Sequence, residues 1–290
     1  MLTTSTGGFA LGFRRGWSDW QKDLNGLTDW AAESRLGVID LGSDAATSAS
    51  TVVDKGLKVG TADLLHWSGL LSPDAGKRAE AVAANTAHIE ACAPFGVKNY
   101  FAVMLPEDPK RARSENFGYM VESLNALTPV LEAHDSHIVI EGWPGEGALC
   151  CTPEGYRATF AECPSLAIGI NFDPSHLIRM GIDALRFLQE FPERVFHVHG
   201  KDTEIFREMI YELGYEQPAT FAKGHGFGSP TWRYTIPGHG EFPWRRGLAV
   251  LAEAGYQGAV CIELEDENYN TDETGEKIGL LSAAQFLTTC

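Results

Sequence analysis

Short apolar runs of strand length alternate with helical stretches along the whole chain. Eight such runs are rich in Val, Ile, Phe or Ala, and segments with helix-start signals separate them. The predicted strands are Gly8–Phe13, Leu36–Leu41, Leu57–Leu64, Asn99–Met104, His137–Glu141, Ala167–Asp173, Val195–His199 and Ala259–Glu263. Strand and helix alternating about eight times in roughly 250 residues or a little more is typical of a (β/α)8 barrel.

Helix-start signals stand at three places between these runs. Ser18 and Gln21 are predicted to form a capping box, in which each side chain bonds to the other residue's backbone. The sequence Ser72–Asp74 is predicted to open a helix that runs to Cys92, and Thr152–Pro153 reads as a cap followed by a first-turn proline. These signals predict helices that connect successive parallel strands.

Nothing in the composition marks a second domain. No linker rich in Ser, Gly or Pro interrupts the pattern, so residues 1–290 are predicted to form a single domain. The patterns G-x-G-x-x-G and G-x-x-x-x-G-K-[ST] do not occur. The sequence therefore lacks the main motifs that would predict binding of a nicotinamide cofactor or a nucleoside triphosphate.

The charge balance restricts the partners. Asp and Glu total 39 against 23 Lys and Arg, a formal charge of −16, which opposes binding to nucleic acid and to anionic membranes. No window approaches the roughly 18 apolar residues of a membrane span, and the first residues lack a signal-peptide pattern. The six cysteines include no C-x-x-C pair. We expect a cytoplasmic protein with a small-molecule partner.

Four late predicted strands end in side chains that bind metals. Glu141, Asp173, His199 and Glu263 each stand at or next to the end of a run. Because the carboxyl ends of the strands meet at one mouth of such a barrel, we expect these side chains to converge there. Three carboxylates and one imidazole suit Mn²⁺, Mg²⁺, Co²⁺ or Fe²⁺, and Zn²⁺ is compatible with them.

Residues that follow the strand ends are predicted to contact a substrate. His176 lies three residues beyond a strand-end aspartate and is expected to return toward the mouth. His66 after the third strand, Trp143 and Glu146 after the fifth, and His239 in a tight Gly-rich loop would supply an aromatic and polar rim. Such rims stack against sugars and form hydrogen bonds with them.

The seventh predicted strand carries two histidines on one face. His197 and His199 alternate with a valine, so His197 is expected one layer deeper, where it would bond to a metal ligand or help to hold the substrate. Lys201 follows at once and is expected at the rim, holding a substrate oxygen, with Asp202 orienting it. A surface ion pair between Lys201 and Asp202 is the alternative.

Together these motifs resemble the xylose-isomerase-like superfamily, in its sugar phosphate isomerase/epimerase branch with ketose 3-epimerases, hydroxypyruvate isomerases and inosose dehydratases. They are Glu141, the D-x-x-H pair Asp173 and His176, the H-x-H-x-K-D run 197–202, the G-x-G-E loop 238–241, and Glu263. The similarity covers about residues 8 to 287. It implies one divalent metal, often Mn²⁺, on the residues matching Glu141, Asp173, His199 and Glu263, a substrate contact from His176, and the two glutamates as acid and base.

The predicted reaction is isomerisation or epimerisation of a small keto-sugar or keto-polyol. A divalent ion on the carbonyl would stabilise an enediolate, with Glu141 and Glu263 exchanging protons on opposite sides. The same site would serve a lyase or dehydratase if a leaving group stood β to the carbonyl. Lys201, His225 and the long stretch 203–234 would then supply an acid, and Ile205 replaces an arginine typical of the ketose 3-epimerases.

Other function classes receive less support. Apurinic-site endonucleases share the barrel, but they use histidines on early strands, where only His66 is available. The charge of −16 also opposes DNA. A non-catalytic sugar-binding barrel stays an alternative. A homo-oligomer is compatible with the aromatic loops, although no feature fixes a subunit number.

Overall fold

Eight parallel strands close into a barrel in the computed structural model, which describes residues 1–290. The barrel strands are β1 (Ala10–Arg14), β2 (Val38–Leu41), β3 (Lys58–Asp63), β4 (Asn99–Val103), β5 (His137–Glu141), β6 (Ile168–Phe172), β7 (Val195–Gly200) and β10 (Ala259–Ile262). Their order around the barrel is β1-β10-β7-β6-β5-β4-β3-β2, and β1 pairs with β2 to close it. The eight predicted strands and the predicted fold class are confirmed.

Helices connect the strands. They are α1 (Asp19–Lys22), α2 (Leu24–Glu33), α3 (Ala45–Asp54), α4 (Trp67–Leu70), α5 (Ala75–Cys92), α6 (Arg113–Ala133), α7 (Pro153–Glu162), α8 (Pro174–Arg179), α9 (Ala184–Glu190), α10 (Arg207–Leu213), α11 (Trp244–Glu253) and α12 (Glu273–Thr288). None of them is both long enough and apolar enough to span a lipid bilayer.

Two of the three predicted helix starts are confirmed. The Asp74 carboxylate accepts hydrogen bonds from the backbone amides of Gly76 and Lys77, at 2.7 and 3.3 Å. The Thr152 hydroxyl accepts one from the amide of Gly155, at 3.2 Å. Each cap satisfies an amide that the first helical turn leaves without a partner.

The predicted capping box of Ser18 and Gln21 is wrong. The Ser18 hydroxyl and the Gln21 amide donate instead to Oε2 of Glu276, at 2.7 and 2.8 Å, and the Trp20 indole donates to the same oxygen. The buried carboxylate of Glu276 needs these donors, and a contact 258 residues away overrides the local pattern. Asp23 caps the second of two separate helices here.

The main apolar core lies between the barrel and its helices, where 58 buried residues form one cluster. Inside the barrel the apolar clusters are small, and four of the buried side chains are polar: Asp40, Asn171, His197 and His199. The interior below the mouth is therefore polar, which places titratable groups directly under the strand ends.

The long stretch after β7 forms an antiparallel hairpin at the mouth. Strands β8 (Asp202–Ile205) and β9 (Trp232–Thr235) pair with each other and belong to a separate two-stranded sheet. The Thr203 hydroxyl donates to the carbonyl of Ser175 at 2.9 Å, and the Thr235 hydroxyl donates to Asp266 at 2.6 Å. The hairpin is thus fixed both to α8 and to the loop after β10.

Candidate active site

Four acidic and imidazole side chains converge at the carboxyl ends of β5, β6 and β10. One ligand atom from each of Glu141, Asp173, His176 and Glu263 lies within 4.8 Å of all the others. His176 Nε2 is 3.2 Å from Glu141 Oε1 and 3.4 Å from Asp173 Oδ2. We call these four residues, together with His199, the carboxylate cluster.

His199 reaches the carboxylate cluster from inside the barrel. Its Nδ1 lies 2.7 Å from Glu141 Oε2 and 3.3 Å from Glu263 Oε2. The ring stacks on Phe101 with a centroid separation of 5.4 Å. Both imidazoles therefore contact Glu141, and the choice of His199 as the fourth metal ligand, with His176 facing substrate, stays a prediction.

Buried polar atoms without hydrogen bonds show what the carboxylate cluster can hold. Asp173 Oδ2, His176 Nε2 and His199 Nδ1 are all buried and make no hydrogen bond of normal geometry. Leaving such an atom unsatisfied costs about 1–3 kcal/mol, so three at one point call for a bound group. Carboxylate oxygens and imidazole nitrogens are ligands for divalent cations. The residues present therefore fit a divalent metal ion.

Charges within the cluster set the ionisation of the glutamates. Burial and the charge of Glu263 raise the pKa of Glu141, but His199 and His176 outweigh them, so this pKa lies below its usual range. Burial also raises the pKa of Glu263, but Lys201 and His199 bring it well below its usual range. Both glutamates are thus ionised at neutral pH and available as ligands or bases.

Lys201 is not at the rim, contrary to the prediction, because its side chain is buried among carboxylates. It is 1% exposed, and its ammonium donates to Glu263 and, at 2.9 Å, to Glu265. Asp173 Oδ2 is 3.3 Å away, and the Tyr234 ring centroid is 4.6 Å away. The hairpin β8–β9 supplies Tyr234 and so covers a position that would otherwise be open.

Asp202 does not orient Lys201, so that prediction is wrong. Its carboxylate accepts hydrogen bonds from the amides of Thr203 and Phe242, at 2.8 and 3.0 Å, and from the Trp244 indole at 2.9 Å. A Cβ on Gly240 would lie 2.2 Å from Asp202 Oδ1, which requires glycine there. Asp202 therefore holds the G-x-G-E loop against the start of α11.

The four predicted rim residues do not reach the carboxylate cluster. His66 and Glu146 are exposed, and Trp143 is 38% exposed. His66 lines a cavity of about 490 Å³ that also touches Asp63. His239 is exposed, and its closest aromatic neighbour is Tyr269, at 6.3 Å between ring centroids. A contact between these residues and a substrate stays a prediction.

His197 lies one layer below the cluster, as predicted, but it does not face the mouth. Its Nε2 is 2.9 Å from Oδ2 of the fully buried Asp40, a residue that sequence reasoning missed. It lines a cavity of about 640 Å³ at the amino ends of the strands, next to Gly60 and Asn99. The structure thus places His197 against Asp40, below the mouth, and gives no support to its predicted contact with a substrate.

Arg14 and Asp63 belong to the mouth and were also missed. The Arg14 guanidinium donates two hydrogen bonds of 2.9 Å to Asp63, and its Nε lies 3.3 Å from Glu263 Oε1. Each residue ends a barrel strand, β1 or β3, and this position is a signal that could have revealed both. The hairpin residue Tyr234, whose hydroxyl lies 2.7 Å from His176 Nδ1, had no such signal.

His225 lies away from the carboxylate cluster. Its Nδ1 is 2.8 Å from Glu267 Oε1, and its ring stacks on Phe206 with a centroid separation of 4.4 Å. Sequence reasoning offered it as an acid for a leaving group. Because His225 contacts Glu267 and Phe206 instead, Lys201 and Tyr234 are the proton donors that lie next to the carboxylate cluster.

Comparison with known sequences confirms the predicted resemblance. The chain matches the family described as xylose isomerase-like TIM barrel over residues 20–285. An uncharacterized Bacillus subtilis protein, YfiH, is 33% identical over 101 residues, which cover 34% of this chain and 31% of that protein. An inosose dehydratase of Clostridium botulinum is 27% identical over 153 residues, 53% of this chain and 48% of the relative. The chain thus spans about half the length, or less, of these curated relatives.

Solved structures share the fold over nearly the whole chain. A 3-keto-D-glucoside 4-epimerase from E. coli superposes with a TM-score of 0.71 at 14% identity, covering 97% of this chain and 100% of that one. The IOLI protein with a bound zinc atom gives a TM-score of 0.66 at 19% identity, covering 96% and 95%. The named relatives and neighbours agree with the prediction of an enzyme. The match over residues 20–285 shows that this chain belongs to the xylose isomerase-like TIM barrel family.

Proposed function

We propose that the protein is a divalent-metal-dependent isomerase or epimerase of a small keto-sugar or keto-polyol. The observation that carries the proposal is the convergence of Glu141, Asp173 and Glu263 with two imidazoles, where three buried polar atoms lack hydrogen bonds. A divalent cation would polarise a substrate carbonyl and stabilise negative charge next to it. Mn²⁺ as the resident ion and a cytoplasmic location stay predictions.

In the proposed mechanism Glu141 and Glu263 act as base and acid. Their strands, β5 and β10, flank the pair β6–β7, so the two carboxylates approach the cluster from different sides. One glutamate would remove the proton next to the carbonyl. The other glutamate, after taking a proton from solvent, would donate it to the opposite face of the same carbon and invert it, and the first glutamate would release the abstracted proton to solvent. Return of the proton at the neighbouring carbon would give an isomer.

A lyase is the second candidate, because a buried cationic donor stands beside the base. The Lys201 ammonium contacts Glu263 and lies 3.3 Å from Asp173. In an elimination, a glutamate would take the carbon-bound proton, that electron pair would form the double bond, and the departing hydroxyl would leave as water with a proton from Lys201. The inosose dehydratase similarity supports this alternative.

Proton NMR of candidate substrates in D₂O tests both proposals. The metal-loaded protein is incubated with a panel of ketoses, inososes and 3-keto-glycosides and removed by ultrafiltration before the spectra are recorded. Deuterium next to the carbonyl with an epimer or isomer as product supports the first proposal, and an unsaturated product supports the lyase. No exchange with any member, in protein shown to hold its metal, would contradict both and favour a sugar-binding role.

Metal binding should release about one proton per ion at pH 7. Burial lowers the pKa of His199, but the charges of Glu263 and Glu141 and the contact with Asp40 raise it well above its usual value. Without metal His199 therefore keeps its proton at neutral pH, and a cation must displace it. The apparent affinity should rise with pH for the same reason.

Titration calorimetry with Zn²⁺ in two buffers of different protonation enthalpy measures this release. The His199→Gln variant is the control, since it has no imidazole proton to lose and should show a clearly smaller release. Binding by the wild-type protein with no proton release would contradict the assignment of His199 to the metal.

A further inference from the structure

We infer that Asp40 is a positioning residue, which holds the His199 ring so that Nδ1 faces Glu141 and Glu263. The inference rests on the proposed metal centre and concerns how the fold prepares one of its ligands. Asp40 lies on β2, within a strand whose four residues are all buried, and none of the predicted chemistry involved it.

The Asp40 carboxylate touches two imidazoles below the cluster. Its Oδ2 is 2.9 Å from His197 Nε2 and 3.5 Å from His199 Nε2. The opposite nitrogen of the second ring, His199 Nδ1, lies 2.7 Å from Glu141. A carboxylate beside one ring nitrogen keeps the proton there and leaves the other nitrogen free for a metal ion. His199 Nε2 makes no hydrogen bond of normal geometry, so Asp40 acts on this ring through its charge at 3.5 Å, and that charge favours the tautomer that the cluster needs.

The neighbouring strands are shaped around this contact. A Cβ on Gly60, in β3, would lie 2.1 Å from Asp40 Oδ1 and 3.0 Å from the His197 ring. Phe101, in β4, stacks on His199 with an angle of 27° between the ring planes. Gly60 thus leaves space for the Asp40 carboxylate, and Phe101 packs against one face of the His199 ring. Together these contacts restrict rotation of the His199 ring away from the cluster.

The Asp40 carboxylate makes one side-chain hydrogen bond, through Oδ2 to His197, and its Oδ1 makes none. The carboxylate is fully buried and makes no ion pair with lysine or arginine, its only ion contacts being the two imidazoles. Burying a charge without a strong partner destabilises a fold. A role for Asp40 in orienting the His199 ligand accounts for a carboxylate in this place.

Metal affinity of Asp40→Asn tests the inference. Competition with a chromophoric chelator should show Zn²⁺ binding weakened about 10–100-fold, the range for loss of a residue that orients a metal ligand. The matched control is Asp266→Asn, since Asp266 is equally buried but bonds to Thr235, Arg233 and backbone amides instead of an imidazole. The control should bind within about twofold of wild type. If Asp40→Asn does not fold, His197→Gln should show a smaller loss in the same direction.

Nitrogen NMR of the Zn²⁺-loaded protein with ¹⁵N-labelled histidine rings gives a second readout that general destabilisation would not move. We expect the His199 signals, assigned by their loss in His199→Gln, to show Nδ1 on the metal and a slowly exchanging Nε2 proton. This proton should exchange at least about tenfold faster in Asp40→Asn.

Four results would overturn the inference, and they separate it from the proposed function. Metal bound through Nε2 of His199, or unchanged affinity in Asp40→Asn, contradicts the inference alone. Two ions per chain, one of them lost in His197→Ala, would assign Asp40, His197 and His199 to a second metal site. A wild-type protein that binds no divalent metal would overturn the inference and the proposed function together.

Discussion

Glu141→Gln and Glu263→Gln should each lower kcat by about 10²–10⁴-fold on the keto-sugar that the NMR panel identifies. An amide cannot take the proton next to the carbonyl, and both glutamates are ionised in the folded protein because His199 and other cationic groups lower their pKa values. The carboxylates are also expected ligands, so bound metal must be measured in each variant. The comparison is made at a metal concentration that fills the site.

Solvent exchange tells the two glutamates apart. In a two-base epimerase each variant keeps one base, so each should still exchange deuterium into only one of the two epimers. Glu265→Gln is the matched control, because Glu265 contacts Lys201 at 2.9 Å but lies outside the carboxylate cluster. A variant of either cluster glutamate with wild-type turnover would rule out its role as acid or base.

The barrel could be predicted because its pattern is local. Each strand is a short apolar run, and the predicted β5 agrees with the observed His137–Glu141 at both ends. The residues of the carboxylate cluster were found for the same reason, since most of them stand at or just beyond a strand end, where barrels gather polar groups.

Contacts between distant segments could not be predicted. Arg14 and Asp63 are 49 residues apart, and Asp202 binds an indole 42 residues along the chain. Lys201 was placed at the rim because it follows β7, but the hairpin residue Tyr234 packs over it and buries it. The burial of a residue at the barrel mouth depends on which later segment packs over it. The local sequence pattern does not predict that contact.

Asp40 combines a local signal that the sequence contains with a distant contact that the sequence does not reveal. A single carboxylate within Val38–Leu41, an otherwise apolar strand, is a departure from pattern that could have been noticed. A charge in a buried strand needs a partner, so the sequence predicts that Asp40 contacts a polar or charged side chain but does not identify it. The answer, two imidazoles of β7, required the closed barrel.

Lys201→Met should lower the free energy of unfolding of the metal-free protein by about 3–5 kcal/mol, the cost of removing one partner from a buried ion pair. The Lys201 ammonium is the buried cation shared by Asp173, Glu263 and Glu265. Methionine keeps most of the volume but leaves these carboxylates to repel one another. Urea unfolding of the chelator-treated protein measures the change. Lys77→Met, which breaks an exposed pair with Glu107, should change stability by less than about 1 kcal/mol.

A divalent cation should restore part of the stability that Lys201→Met loses, because the cation places positive charge among the same carboxylates. The ammonium repels an incoming ion, so its removal should tighten metal binding, and the rise in Tm on adding Zn²⁺ should be larger in the variant than in wild type. Lys77→Met, again the control, should show the wild-type rise. An equal rise in Lys201→Met and wild type would mean that the ammonium and the ion do not share the carboxylates. The metal would then have to lie on the His176 and Glu141 side of the cluster, away from Lys201.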